Sequence, residues 1–275
     1  MAARAHAALL VAAASALAPL RAETLPTVAS INVCADQHVL ALADPKQILT
    51  VSWLAADPEE SLFAREAERH LLNYGTAEEL LKFAPDVVLA GIHTSPFTRA
   101  MLRRLGFSVV ELEPEASVAD IERNVKLVAK AVGHEERGER LVAKLHADVR
   151  ALEANRPEVG LAAVIVRPGG FTVGTDSLAG ELLELAGLRN VAAEQGLDRW
   201  GSLSMEALLR SSPELVVLTG YRSEQPSLAN AVLEHPALAR LGAARRTVTV
   251  PSAYWSCGLP ASLAAAELLQ RAAFE

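Results

Sequence analysis

Two stretches of this chain are near-copies of each other. TAEELLKFAPDVVLAG runs from Thr76 to Gly91, and SMEALLRSSPELVVLTG runs from Ser204 to Gly220. In each, a hydroxyl residue suited to capping a helix precedes an acid, a Leu-Leu pair, a proline and an apolar run rich in valine. Thr76 with Glu79 three residues later has the capping-box pattern, in which side chains and backbone donors satisfy one another at a helix start. Leu80–Leu81 match Leu208–Leu209, Pro85 matches Pro213, and Asp86–Leu89 match Glu214–Val217. The proline stops the helix, and a short apolar run bounded by turn residues reads as a buried strand. A helix feeding a buried strand is part of an alternating α/β unit, so the chain is expected to hold two similar α/β halves.

The surrounding sequence keeps that rhythm. In the first half, Thr27–Val33, Gln47–Trp53 and Phe107–Glu113 read as strands, and Asp36–Ala43 and PFTRAMLRRLG as helices. In the second half, GLAAVIVRP and Arg246–Ser252 read as strands, and Ser177–Gly187 and PASLAAAELLQRAAF as helices. Strands alternating with helices imply parallel strands joined by crossovers. Between the halves, from Ser117 to Asn155, no strand pattern occurs. Within Glu135–Asn155, Leu141, Leu145, Val149 and Leu152 recur at helical spacing, an amphipathic stripe on a helix roughly 30 Å long. That helix is either a stiff strut between two lobes or an ordinary packing helix of one larger domain. The expected divisions are 1–22, 23–116, 117–156 and 157–275.

The first 22 residues differ from the rest. A basic start, an apolar run from Ala7 to Ala18 and an Ala-ended exit have the form of a secretory signal, with cleavage expected after Ala22. Loss of Arg4 and Arg21 would take the net charge from −7 to about −9. The apolar run is too short to span a bilayer, and no cysteine follows it directly as a lipoprotein would require. Hydrophobic residues make up 51% of the chain, enough for sizeable cores. Basic residues are nowhere concentrated, which argues against nucleic acid as a partner. Cys34 and Cys257 are the two cysteines. An exported protein can pair them, but sequence leaves open whether their backbones approach closely enough.

Several chemistries lack their signatures. No G-x-G-x-x-G, Walker A loop or G-x-S-x-G elbow is present, and no His pair has zinc-ligand spacing. His38 and His93 are either ordinary histidines or ligands meeting from two loops. The aromatic residues carry more signal. Trp53, Trp200 and Trp255 all fall at expected loops, and Tyr221, Arg222 and Tyr254 follow expected strands. Ligands of parallel sheets lie beyond the carboxyl ends of the strands. Trp53, Tyr221, Tyr254 and Trp255 lie there by this reading, and they either cover core edges or line a ligand site.

The order and spacing of INVCADQHVLALA, YGTAEELLKFAPDVVLAG, FTVGTDSLAGELLELAGLRNVA, RWGSLSMEALLRSSPELVVL and VPSAYWSCGLPASLAAAELL resemble the periplasmic iron-siderophore and cobalamin binding proteins of ABC importers. The resemblance covers nearly everything after residue 22. It implies two Rossmann-like lobes joined by one long rigid α-helix, a ligand cleft between them, no catalysis and no cofactor. The partners it implies are a small-molecule metal chelate, either a ferric siderophore or a corrinoid, and a permease dimer in the inner membrane. Carried over by position, the cleft would be lined by Cys34, Asp36, Ser52, Trp53, Gly91, His93, Arg167, Tyr221, Arg222, Tyr254 and Trp255. Aromatics that flank the first repeat phrase in cobalamin binders have Tyr74 and Gly91 as their counterparts here. Glu78 and Glu206, matched in the two phrases, would dock onto the permease; alternatively they only complement the helix dipole. The other readings are a Zn- or Mn-binding protein of the same architecture and an exported α/β enzyme.

Overall fold

A computed structural model describes residues 24–220, 227–233, 235–238 and 246–274. The first half contains β1 (Val28–Ser30), α1 (Val33–Leu42), β2 (Ile48–Ser52), α2 (Ala64–Ala67), β3 (Leu72–Asn73), α3 (Ala77–Phe83), β4 (Val87–Gly91), α4 (Pro96–Arg104) and β5 (Ser108–Leu112). Its sheet is parallel throughout, in the order β3-β2-β1-β4-β5. Two helices follow, α5 (Val118–Ala131) and α6 (Glu135–Ala154). The second half contains β6 (Ala162–Val166), β7 (Phe171–Val173), α7 (Leu178–Leu185), β8 (Arg189–Asn190), α8 (Val191–Glu194), β9 (Trp200–Ser202), α9 (Met205–Ser211), β10 (Leu215–Leu218) and β11 (Arg246–Thr249). A short helix (Ala253–Ser256) and the C-terminal helix (Leu263–Phe274) end the chain. This sheet is also parallel, in the order β11-β10-β6-β8, with β7 and β9 forming a separate antiparallel pair. The fold is thus α/β and two-lobed.

The repeated phrase folds the same way twice. Thr76 Oγ1 accepts from the Glu79 amide and the Glu79 carboxylate accepts from the Thr76 amide, which closes the capping box. Ser204 Oγ accepts from the Ala207 amide at 3.1 Å. Both helices then end on a non-glycine residue in the left-handed region, Ala84 at φ 44° and Ser212 at φ 46°. Each directly precedes the proline. The right-handed helical conformation is disfavoured there, because the proline ring crowds the preceding residue. The reversal delivers Val87 and Leu215 into β4 and β10.

Some boundaries differ from the sequence expectation. The first strand stops at Ser30, because Asn32 Oδ1 accepts from the amides of Cys34 (3.1 Å) and Ala35 (3.3 Å) and caps α1 three residues early. The last strand ends at Thr249 rather than Ser252. β3, β7, β8 and β9 were not anticipated, since two or three residues carry no periodicity to read.

Helix α6 is tied to both lobes. Near its start Arg137 donates to Leu42 O (2.6 Å) and to Asp44 (2.8 Å). Near its end, Gln270 of the C-terminal helix donates to Leu152 O and Asn155 O, each at 3.2 Å. One apolar cluster runs from Val28 and Leu89 through Val125 and Leu145 to Ile165 and Leu269. The lobes therefore share a continuous core behind the sheets. The contact of α6 with α5 depends on Gly138, where an added Cβ would lie 2.4 Å from Ala129 Cβ. Gly→Ala in an open helix stabilises by about 1 kcal/mol. Here Gly138→Ala is expected to destabilise by about 1–3 kcal/mol through overpacking, with rescue by Ala129→Gly. Urea unfolding of the single and double variants checks the sign.

Candidate functional site

The carboxyl ends of both sheets open on one cleft of about 800 Å³. The first lobe contributes Asn32 and Cys34 at the start of α1, Gly91–His93 after β4, Leu112–Ala116 after β5, and Asp120 and Arg123 from α5. The second contributes Arg167 after β6, Val173, Asp176–Ala179 at the start of α7, Arg199, Trp200, Trp255 and Ser256. The volume falls within the roughly 300–1,000 Å³ of ordinary small-molecule sites. A smaller apolar cavity of about 280 Å³, lined among others by Phe171, Met205 and Leu208, shares none of the expected ligand residues.

Positive charge and an aromatic face meet on the second-lobe wall. The Arg167 guanidinium lies 5.1 Å from the centroid of the Trp200 ring, a cation–π contact. Burial lowers the pKa of Arg167, and the charge of Glu60 acts in the opposite direction; the group remains cationic. Trp200 is 62% exposed, so most of its indole is open to a ligand. Arg123 is 2.5 Å from Asp120 and 3.9 Å from Glu113, and Arg199 is 3.9 Å from Asp176. The walls thus carry three guanidinium groups, two of them beside carboxylates.

The floor is made by buried polar groups that join the lobes. Glu115 accepts from the Gly258 amide at 3.3 Å, lies 3.2 Å from His38 Nε2, and accepts from Asn124 Nδ2. Beside it, Cys34 and Cys257 form a disulfide, with Cα atoms 5.1 Å apart. The question left open by the sequence is answered: chain segments 223 residues apart are bonded at the cleft floor.

The residues expected in the cleft divide into groups. Cys34, Gly91, His93, Arg167 and Trp255 line it together. Trp255 is only 7% exposed and also belongs to the shared core. Asp36 and Ser52 lie beneath the floor instead, 0% and 5% exposed, because they satisfy each other. The Ser52 amide donates to Asp36 Oδ1 at 3.1 Å, and the Ser52 hydroxyl donates to Oδ2. Trp53 sits outside the cleft lining in the single turn after β2, with its ring 6.5 Å from that of Tyr74. Tyr254 is half-buried against the core. Tyr221 and Arg222 lie outside the described residues. Glu78 and Glu206 are exposed, each the second residue of its helix. His38 is buried and turned to Glu115, so it does not share the cleft edge with His93. Among the described residues no three His, Cys, Asp or Glu side chains converge in a group able to hold a metal ion.

The sequence reading left out Asn32, Glu115, Arg123, Arg199 and Trp200. Trp200 falls at an expected loop, but it precedes a helix instead of following a parallel strand. The antiparallel β7–β9 pair, with Val173 opposite Trp200, carries it to the cleft.

Asp36 gives a test of the floor. Desolvation raises its pKa from 3.8 to about 6, against the lowering effect of hydrogen bonds from Ser30 and Ser52. The folded protein therefore holds this proton more tightly than the unfolded chain does. The resulting stabilisation is full below pH 3.8 and is lost as pH rises through about 6. Asp36→Asn removes the titration. Relative to wild type, the variant is expected to gain about 3 kcal/mol of stability between pH 3.5 and pH 7.5, from ~1.4 kcal/mol per pKa unit. Denaturant titrations across that range check it, and parallel curves would contradict it.

The model of the periplasmic binding protein family matches residues 28–248. The chain belongs to that family. A curated relative, the uncharacterized ABC transporter substrate-binding lipoprotein YvrC of Bacillus subtilis, is 23% identical over 154 residues, which span 52% of this chain. The match covers about half of that relative, 48% of its length. Among solved structures, the periplasmic heme-binding protein RhuT of Roseiflexus sp. RS-1 in apo form superposes with a TM-score of 0.76 at 22% identity, covering 91% of this chain and 98% of that one. The periplasmic vitamin B12 binding protein BtuF of Vibrio cholerae superposes with a TM-score of 0.64 at 18% identity, covering 90% and 95%. At these identities the superpositions establish the family's two-lobed fold in this chain.

Proposed function

We propose that this periplasmic binding protein is the substrate-binding component of an ABC importer, and that it captures a metal chelate and delivers it to the inner-membrane permease. The observation that carries the reading is the wall formed by Arg167 and Trp200 in a cleft of about 800 Å³. An indole offers a face to a flat organic framework, and guanidinium groups pair with carboxylate-like oxygens. A bare Zn or Mn ion needs three or four converging protein ligands, and no group of three His, Cys, Asp or Glu converges among the described residues. The chelate classes are a ferric siderophore or a metal tetrapyrrole such as a corrinoid; relatives named as heme and vitamin B12 binders support the latter.

Residues 1–22 act as an export signal removed near Ala22, and the mature protein works in the periplasm as a monomer without catalysis. Residues 23–116 and 157–275 form the lobes, with 117–156 joining them. Glu78 and Glu206 dock onto basic groups of a two-fold permease, one glutamate for each half. The test is a tryptophan fluorescence titration of the purified protein with ferric hydroxamate, ferric catecholate, heme, cobalamin, Zn²⁺ and Mn²⁺. Saturable quenching by one chelate and none by the free ions is expected. Tight binding of a free ion alone would overturn the reading.

A further inference from the structure

We propose that the Cys34–Cys257 disulfide is a redox-sensitive staple in the floor of the ligand cleft, and that its state and the occupancy of the cleft are coupled. The coupling rests on the proposed function; the staple itself does not.

The bond joins the two lobes at a place where nothing else is covalent. Cys34 is the second residue of α1 in the first lobe, while Cys257 follows the short helix after β11 in the second. The other ties lie away from the floor: neither α6 nor the Val118–Glu181 hydrogen bond contributes a residue to the cleft lining. The lobes are thus held behind the cleft by α6, the shared apolar core and a hydrogen bond from the Val118 amide to Glu181, and at the cleft floor by a disulfide. Around the bond the lobes are in direct contact. A Cβ added to Gly258 would lie 2.2 Å from Glu115 Cβ, and the Gly258 amide donates to the same side chain. With the disulfide open, this hydrogen bond and the packing of Trp255 in the shared core are left to hold the floor. The lobes can then turn about α6, carrying Arg167 and Trp200 out of register with Gly91, His93 and Arg123 on the facing wall. Chelate affinity falls with that loss of alignment.

Access to the two sulfurs is unequal. Cys34 is partly exposed and lines the cleft, whereas Cys257 is 1% exposed. Thiol–disulfide exchange proceeds by attack of a thiolate on one sulfur while the other leaves. A dithiol entering through the cleft attacks Cys34 Sγ, forms a mixed disulfide there and releases Cys257 as thiolate. Its second thiol then closes on the first, giving an oxidised dithiol and two reduced cysteines, with two electrons and two protons transferred. A chelate seated in the cleft lies across that approach. Occupancy therefore slows reduction, and by linkage it also stabilises the oxidised state by the factor by which oxidation tightens binding.

The experiment uses the full exported chain and dithiothreitol. Small-angle scattering of the ligand-free protein is recorded before and after reduction, and a Cys34→Ser/Cys257→Ser variant gives the same comparison without reductant. Reduction and the double variant are each expected to widen the interlobe distance distribution. Mixed disulfides trapped by acid quench are expected on Cys34. Unchanged scattering in both, or trapping on Cys257, overturns the staple whatever the ligand is. Affinity and protection are then measured with probes that dithiothreitol leaves intact: cyanocobalamin, gallium(III) protoporphyrin IX and gallium(III) desferrioxamine. Bound probe is expected to slow alkylation of the cysteines at least tenfold, and reduced protein to bind at least tenfold more weakly at 25 °C. Equal affinity in both redox states overturns the coupling. Binding of no probe by the oxidised protein, with scattering that widens on reduction, leaves the staple intact and removes the chelate reading and the coupling.

Discussion

Replacing Arg167 with alanine is expected to weaken binding of an anionic metal chelate about 10- to 100-fold, with little change in the stability of the empty protein. A hydrogen bond to a charged group contributes about 1.5–3 kcal/mol, and burial reduces competition from water at this guanidinium. Trp200→Ala removes both a face for the chelate and the ring beneath Arg167, 5.1 Å from it. It is expected to cost about 1 kcal/mol of binding or somewhat more. Because the two side chains touch, the double variant should lose less than the sum of the single losses. Trp200 is 62% exposed, so its removal leaves no cavity in the core. Calorimetric titration of the three variants measures this cycle. Unchanged affinity in Arg167→Ala would mean that the ligand does not use this wall.

The second large effect concerns delivery. With Glu78→Lys and Glu206→Lys combined, chelate affinity is expected to persist, since neither residue lines the cleft. Uptake by cells and association with the permease are expected to collapse, because two positive charges would then face the basic groups of the partner. A carboxylate in the first turn of a helix is favoured by about 0.3–1 kcal/mol against the helix dipole, and that alone would explain both acids. The two explanations separate in a strain that depends on this importer. Full uptake by a folded, ligand-binding double variant would leave the dipole as the whole reason.

What the sequence could convey depended on how local each cause is. The two halves were readable because Thr76, Ser204, Pro85 and Pro213 act within one turn of themselves, and because β4 and β10 are continuous apolar runs. The cleft was readable where a residue follows a parallel strand, as Gly91, His93 and Arg167 do. Asp36 and Ser52 lie beneath the cleft and not in it for a physical reason: two polar groups 16 positions apart satisfy each other in the interior, and only the packing of α1 on β2 reveals it. Trp200 depended on a three-residue antiparallel pairing with β7, and the disulfide on the approach of segments 223 residues apart. Neither leaves a local signal.

The most direct test of the account is a crystal structure with the chelate that quenches tryptophan fluorescence, with the metal located by its anomalous scattering. The account predicts one metal peak between the lobes, enclosed by an organic framework that contacts Trp200 and Arg167 on one side and the His93 and Arg123 wall on the other. A peak in the smaller cavity beside Met205 and Leu208, or a bare ion ligated by protein side chains alone, would contradict it.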